Sequence, residues 1–525
     1  MRASLLRVFY CICFILLCIV NNIVGSQPGR VQFVAINCSG LVVAAIIFSA
    51  YKLKDFLKPI YAVWAVICLV AGAYAIYWGH GNYPYFGRWI TAVLNVAVYG
   101  FIVIRIISGA IREKRVKPMK WVSLGLWVLM IVLMVVSPHE SVWPLWFGVM
   151  FLSLYLTEFD KRHIDALLNG LMDGIIVGFV IVQGLAFLFR PYDIPRYLGF
   201  FANTNMNALF YVGTYAVLLT KWCLSVRNGG KFLEKALWAV FSCLMIGFVL
   251  LTGSRAALVA AILVSFVFLA CMVCNTDKKV VTFFKYCVII GALGFVSIPA
   301  TYFTVRYLPT VHLHPIYFDG EWSESKVQPG ESRDFGKYVS FKEYLGSNFG
   351  RILWFVDFEN EEEPTEHEES KKVEEKEVIN EVYLFELEEE AALSPIGIRW
   401  AIHKYYFLHL NMFGHSEKEA GVPYTKYETI PHAHNWILQM SFCYGIIAGI
   451  LLLYMVVQYI ILVVKAARAH DYRLMCLVGC VITAFLAFGF FEVSWAVGQI
   501  QFLLFFMLYY FVVSLDSKNG KEIKA

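Results

Sequence analysis

Two histidines, one residue apart, stand in Pro431-His432-Ala433-His434-Asn435, immediately before a long apolar run. Histidine is the side chain that exchanges a proton near neutral pH, so this pair is a candidate general base. Two imidazoles could also begin a metal site. Zinc needs three or four ligands, and no further ligand here has diagnostic spacing, so no metal is expected. The same residues also suit a polar helix cap, in which Asn435 or His434 meets free backbone groups.

Arginine supplies the second kind of chemistry. Arg190 and Arg196 bracket Pro191-Tyr192-Asp193-Ile194-Pro195, Arg255 closes the turn Thr252-Gly253-Ser254-Arg255, and Arg306 and Arg399 flank the longest polar stretch. A guanidinium fork binds phosphate oxygens two at a time, so a cluster of arginines suits a lipid phosphate or diphosphate. A single arginine at a membrane surface can instead snorkel to headgroups, as Arg30 and Arg88 are expected to do. Arg255 has least freedom for that, held in a four-residue turn. Asn203 and Asn205, in Gly199-Phe200-Phe201-Ala202-Asn203-Thr204-Asn205, bring amides to the same region, with helix capping as their default role.

Around Arg399 the pattern predicts a short helix. Ser394 fits an N-cap and Pro395 the first helical position. Arg399, His403 and Tyr406 then share one face, Ile398, Ile402 and Tyr405 form the neighbouring apolar stripe, and Gly414 is expected to end the pattern. A helix that shows Arg399 to a ligand and an amphipathic helix resting on a membrane both fit.

These residues must be positioned by lipid-embedded helices. Of the 525 residues 59% are apolar and 16% charged, and the net charge is +5. Mean hydropathy is +0.63. This excludes a disordered chain, a collagen-like fibre and a string of soluble domains. About 20 apolar residues cross a bilayer as a helix. Fourteen such runs occur, at 8–24, 31–50, 60–78, 89–109, 121–137, 142–157, 168–189, 206–220, 236–252, 256–274, 284–304, 436–464, 474–490 and 499–515. The expected fold is all-α: a polytopic transmembrane helix bundle of about 14 spans, range 12–14, with one large extracytoplasmic loop.

Lys and Arg in alternate short loops set the orientation. Loops 51–59, 110–120, 158–167, 221–235, 275–283 and 465–473 and the C-terminal tail are all basic, which predicts both termini in the cytoplasm. The arginines named above then lie on the outer side, against the insertion bias. Met1–Arg7 resembles the start of a signal peptide, with Val24-Gly25-Ser26 as a cleavable site, and an uncleaved first helix is the expectation. Arg105 and Asp173, inside apolar runs near the inner ends, are expected to snorkel.

The chain divides into N-terminal helices 1–194, helices 195–305 with the outer Gly-Ser-Arg turn, the outer loop 306–434, and helices plus tail 435–525. Residues 359–390 contain fifteen Glu and three Lys, a charge of −12 that leaves +17 on the remainder. That insert is expected to be solvated, with no calcium-loop spacing. The 13 cysteines lie mostly in apolar runs and form no disulfide framework; Cys271-x-x-Cys274 reads as small core residues.

Gly199–Leu209, Leu251-Thr252-Gly253-Ser254-Arg255, Ile398-Arg399-Trp400 and His432-Ala433-His434-Asn435-Trp436-Ile437-Leu438, with Gly445 and Gly449 following, together resemble the O-antigen ligase family. That family also includes polysaccharide polymerases and some protein O-oligosaccharyltransferases, and the likeness covers about 195–515. The resemblance implies a glycosyltransferase that takes a glycan from an undecaprenyl-diphosphate carrier in the bacterial inner membrane. The acceptor would be a glycan, lipid or wall component, with no cofactor, metal or nucleotide sugar and no nucleic-acid partner. His434 matches the family's essential histidine, and Arg255 and Arg399 its diphosphate-side arginines. Arg190 or Arg196 would add a further arginine, with Asn203, Asn205, His432 and Asn435 nearby in substrate binding. Fourteen helices exceed the family's usual twelve or so, and the acidic insert is not one of its hallmarks. Polymerase and ligase are not separated by these motifs. A transporter or flippase is the alternative from another class, but such proteins place ionisable residues near the bilayer midplane, and these gather at the outer surface.

Overall fold

The computed structural model describes residues 3–24, 30–80, 86–113, 121–139, 143–201, 203–274, 276–316, 325–352, 395–416, 422–423, 429–430, 432–492 and 500–517. The acidic insert 359–390 and Ser394 lie outside the described residues. Among the described residues the regular structure is helical, apart from an antiparallel pair of two-residue strands, β1 (Val422–Pro423) and β2 (Thr429–Ile430).

Among the described residues, ten helices are long and apolar enough to cross a membrane, and four shorter apolar helices accompany them. This is a multi-pass membrane protein. The helices are α1 (Ala3–Ile19), α2 (Arg30–Phe48), α3 (Pro59–His80), α4 (Phe86–Glu113), α5 (Trp121–Val136) and α6 (Trp143–Tyr155). Then come α7 (Lys161–Phe189), α8 (Thr204–Arg227), α9 (Phe232–Leu251), α10 (Arg255–Val273), α11 (Lys279–Tyr307) and α12 (Phe341–Ile352). The last five are α13 (Pro395–Leu408), α14 (Trp436–Tyr444), α15 (Ile446–Arg468), α16 (Tyr472–Gly489) and α17 (Ile500–Ser517).

Each apolar run of the sequence contains a helix, but the run 436–464 contains two. Gly445 breaks it with φ +92°, a backbone state open to glycine and strained for other residues. The corner is tight: a Cβ on Gly445 would collide with the Met412 carbonyl, and one on Gly449 with Ser441. The expected single span is therefore a short helix, α14, turning sharply into the longer α15.

Small residues set the closest packing. A Cβ on Gly170, Gly174 or Gly178 of α7 would lie 2.6, 2.5 or 2.6 Å from the Cβ of Tyr10, Phe14 or Cys18 on α1. This glycine stripe lets two backbones meet in parallel, the arrangement small residues permit where lipid supplies no hydrophobic drive. Asp173, in the same stretch, pairs with Arg7 at 2.5 Å and with Lys221 of α8 at 2.6 Å. The expected snorkelling of Asp173 is thus replaced by two ion pairs, because its partners arrive from distant helices. Arg105 instead lies over the Tyr51 ring, 5.2 Å from its centroid.

The first and last sequence segments share one core. Tyr155 donates to the Phe506 carbonyl at 2.8 Å, and Arg473 reaches Asp165 at 2.6 Å. All thirteen cysteines carry free thiols. The stretch after α11 docks on the one after α7: Ile316 N–H donates to Phe189 O and Val339 N–H to Tyr192 O, each at 2.9 Å.

Candidate active site

Helix register brings the sequence candidates to one end of the bundle. Cys480 Sγ on α16 lies 3.9 Å from the Val264 carbonyl of α10. Arg255 and Gly489 are equally many residues from that contact along antiparallel helices, so both reach the same level. Tyr215 Oη meets Ser265 Oγ at 2.7 Å, which aligns α8 with α10 and puts Thr204 at this end too.

The turn before α10 is built from side-chain caps. Ser254 is the N-cap, accepting from Ala257 N–H, and Gly253 takes φ +60°. Arg255 is the first helical residue and its side chain is exposed. Arg196 fastens this turn to the start of α8: its Nε donates to Thr252 O at 2.9 Å and its Nη2 to Asn205 Oδ1 at 3.0 Å. Asn203 caps α8, accepting from Asn205 N–H at 2.7 Å. Arg190 is only 4% exposed and donates to Ile316 O at 2.7 Å, binding the chain after α11. Of the expected substrate-binding residues in 190–205, Arg196 with Asn205 ties the Arg255 turn to the start of α8, Asn203 caps that helix, and Arg190 holds the chain after α11.

The histidine motif sits where α14 begins. Asn435 is its N-cap, with Oδ1 accepting from Ile437 and Leu438 N–H at 3.1 Å each. Ala433 N–H donates to Gln439 Oε1 at 2.6 Å, closing the loop from the other side. His434 is held at φ +46°, in the left-handed region that non-glycine residues seldom occupy. Its ring lies edge-on to His432, with centroids 4.3 Å apart.

The residue that organises the site is Glu492, just past α16. Its Oε2 lies 3.2 Å from His434 Nδ1, and its Oε1 is 3.0 Å from Arg399 Nη2. The carboxylate side chain is 11% exposed. Burial alone would push this carboxyl up. The His434 hydrogen bond and the charges of His434, Arg399 and His432 outweigh burial and hold it below its ordinary value. In the tautomer whose Nδ1–H donates to the carboxylate, Nε2 of the His434 ring is the atom left to accept a proton. Burial lowers His403 and His432, and the neighbouring His434 charge lowers them further, so both rings favour the neutral form.

Glu492 was not among the sequence candidates. A signal was present: it is the only charged residue between Arg473 and Asp516. An isolated carboxylate at the edge of an apolar stretch needs a partner.

Helix α13 starts at Pro395 as expected and ends at Leu408, short of Gly414. Asn411 replaces a helical continuation, with Oδ1 accepting from Phe413 N–H at 2.9 Å. Gly414, at φ +86°, instead packs its backbone on Cys443. Ile402 and Tyr406 are buried, with Tyr406 against Phe442 at 4.5 Å between centroids. Tyr405 is stacked on His409. Arg399 and His403 lie on the side facing His434. Among the described residues, no group of three or more His, Cys, Asp or Glu is arranged to hold a metal ion.

No family model matches the chain, and neither a curated protein nor a solved structure matches it. The expectation of an O-antigen ligase therefore has only the motif residues and their order behind it.

Proposed function

We propose that this chain is an integral-membrane glycosyltransferase of the O-antigen ligase kind. It would move a glycan from an undecaprenyl-diphosphate carrier to an acceptor hydroxyl at the outer face of a bacterial inner membrane. The observation that carries the reading is the bridge from Arg399 through Glu492 to His434. It joins an anion-binding fork to an oriented base in one site.

The chemistry follows from these groups. The acceptor oxygen attacks the anomeric carbon, its proton goes to His434 Nε2, and the bond to the diphosphate oxygen breaks with its electron pair. Glu492 orients the imidazole and offsets its positive charge once protonated. Negative charge gathers on the departing diphosphate, where Arg399 and Arg255 stabilise it. The contact with Glu492 uses Arg399 Nη2, one part of a fork with five N–H donors.

The proposed topology has fourteen spans and both termini in the cytoplasm. Parallel α1 and α7 require an odd number of crossings between them. The long helices α3 and α4 alone give an even number, so the shorter α2, α5 and α6 are proposed to cross as well. Five crossings agree with the alternating basic loops and put the Arg399–Glu492–His434 end outside.

The test is transfer in proteoliposomes from an undecaprenyl-diphosphate-linked glycan to a panel of lipid and glycan acceptors. A covalent product made by the wild-type chain and lost in His434→Ala supports the reading. Movement of unaltered carrier across the bilayer, without product, would favour a flippase.

A further inference from the structure

Helix α13 has a second face that the proposed chemistry does not use. Trp400, Phe407 and Leu408 are 65%, 67% and 61% exposed, while Ala401, Ile402 and Tyr406 are buried. At 100° per residue the exposed positions, with Lys404 among them, span an arc of about 100°. Arg399 and His403 lie outside this arc, about 80° and 40° beyond its Phe407 edge. The apolar exposure continues into Met412 and Phe413, the latter 73% exposed.

The position of this surface identifies what covers it. Ile446 N–H, at the first residue of α15, donates to Asn411 O at 2.9 Å. Ser137, at the end of α5, donates to the Cys443 carbonyl on which Gly414 packs. Residues 411–414 therefore sit at the ends of two apolar helices. Those helices expose Val136 and Ile450 next to this junction, so the surface of Met412 and Phe413 joins a lipid-facing one. Tryptophan and lysine beside aliphatic side chains suit the zone between acyl chains and anionic headgroups.

We propose that the segment Pro395–Gly414 is bedded in the bilayer leaflet on the site's side, with Trp400, Phe407, Leu408 and Phe413 among the lipid chains. The partner is phospholipid. Arg399, beyond one edge of this arc, is then held near the level of lipid phosphates. This does not depend on which reaction the site performs.

The test uses the full chain in nanodiscs of phosphatidylethanolamine and phosphatidylglycerol. Trp400, Phe407 and Phe413 are each replaced by p-benzoylphenylalanine, irradiated, and read by intact mass. Val136 serves as a lipid-facing reference and Arg333, on the polar segment 325–340, as an aqueous one. Size-exclusion profiles matching wild type establish that each variant is folded. Phospholipid adducts at 400, 407 and 413, as at 136 and unlike 333, are expected. Absence of lipid adducts at 407 and 413 while 136 reacts would overturn the proposal. So would adducts to a second copy of the chain.

Discussion

Glu492 Oε2 lies 3.2 Å from His434 Nδ1, and the same carboxylate reaches Arg399 through its other oxygen. Fifty-eight positions of sequence separate the acid from the imidazole. Glu492→Gln keeps the shape and removes the charge that orients the ring. Transfer turnover should fall about 10²-fold, the lower end of what a positioned base supplies, with KM for the carrier little changed. Steady-state kinetics on purified protein measure this split.

The pH response has a definite sign. Glu492 is held below its ordinary value, so its stabilising pairing is present above the usual carboxylate range and is lost as pH falls through the lowered value. His403 and His432 are also lowered, so charging them beside His434 and Arg399 costs stability as pH drops below the ordinary histidine value. Melting temperature should therefore decline from about pH 6.5 downward. A His403→Gln/His432→Gln double variant should show a flatter decline in the same thermal-shift series.

Arg399→Lys keeps a positive charge but gives up the planar fork. It should lower kcat/KM for the carrier roughly tenfold, the scale of one lost charge-assisted hydrogen bond. Arg399→Ala should cost more, because the buried Glu492 then keeps only His434. Initial rates at limiting carrier compare the two.

Gly445→Ala puts a Cβ where φ is +92° and the Met412 carbonyl is already in contact. A loss of at least about 1–3 kcal/mol is expected from the strained backbone alone. Gly184→Ala, in α7, meets nothing within 4 Å and should be neutral or stabilising by up to about 1 kcal/mol. Denaturant or thermal melts of the two, side by side, test the corner.

The helices were legible because lipid imposes long apolar runs, and the turn before Arg255 was legible because glycine, serine and short spacing define it locally. The break at Gly445 was not, since Cys443, Tyr444, Ile446 and Ile447 on either side read as one hydrophobic run. The ion pairs of Asp173 with Arg7 and Lys221 were hidden for another reason: tertiary packing, not spacing, brings them together. Glu492 was missed on the same ground. Asn203 and Asn435 show the opposite case, where the local capping rule correctly described the contact their oxygens make.

The most direct measurement is glycan transfer by purified, reconstituted wild-type, His434→Ala and Glu492→Gln proteins, each shown to be folded by a cooperative melt at pH 7.5. The account predicts a covalent glycan–acceptor product from wild type, a weak yield from Glu492→Gln and almost none from His434→Ala. Undiminished product from His434→Ala would contradict it.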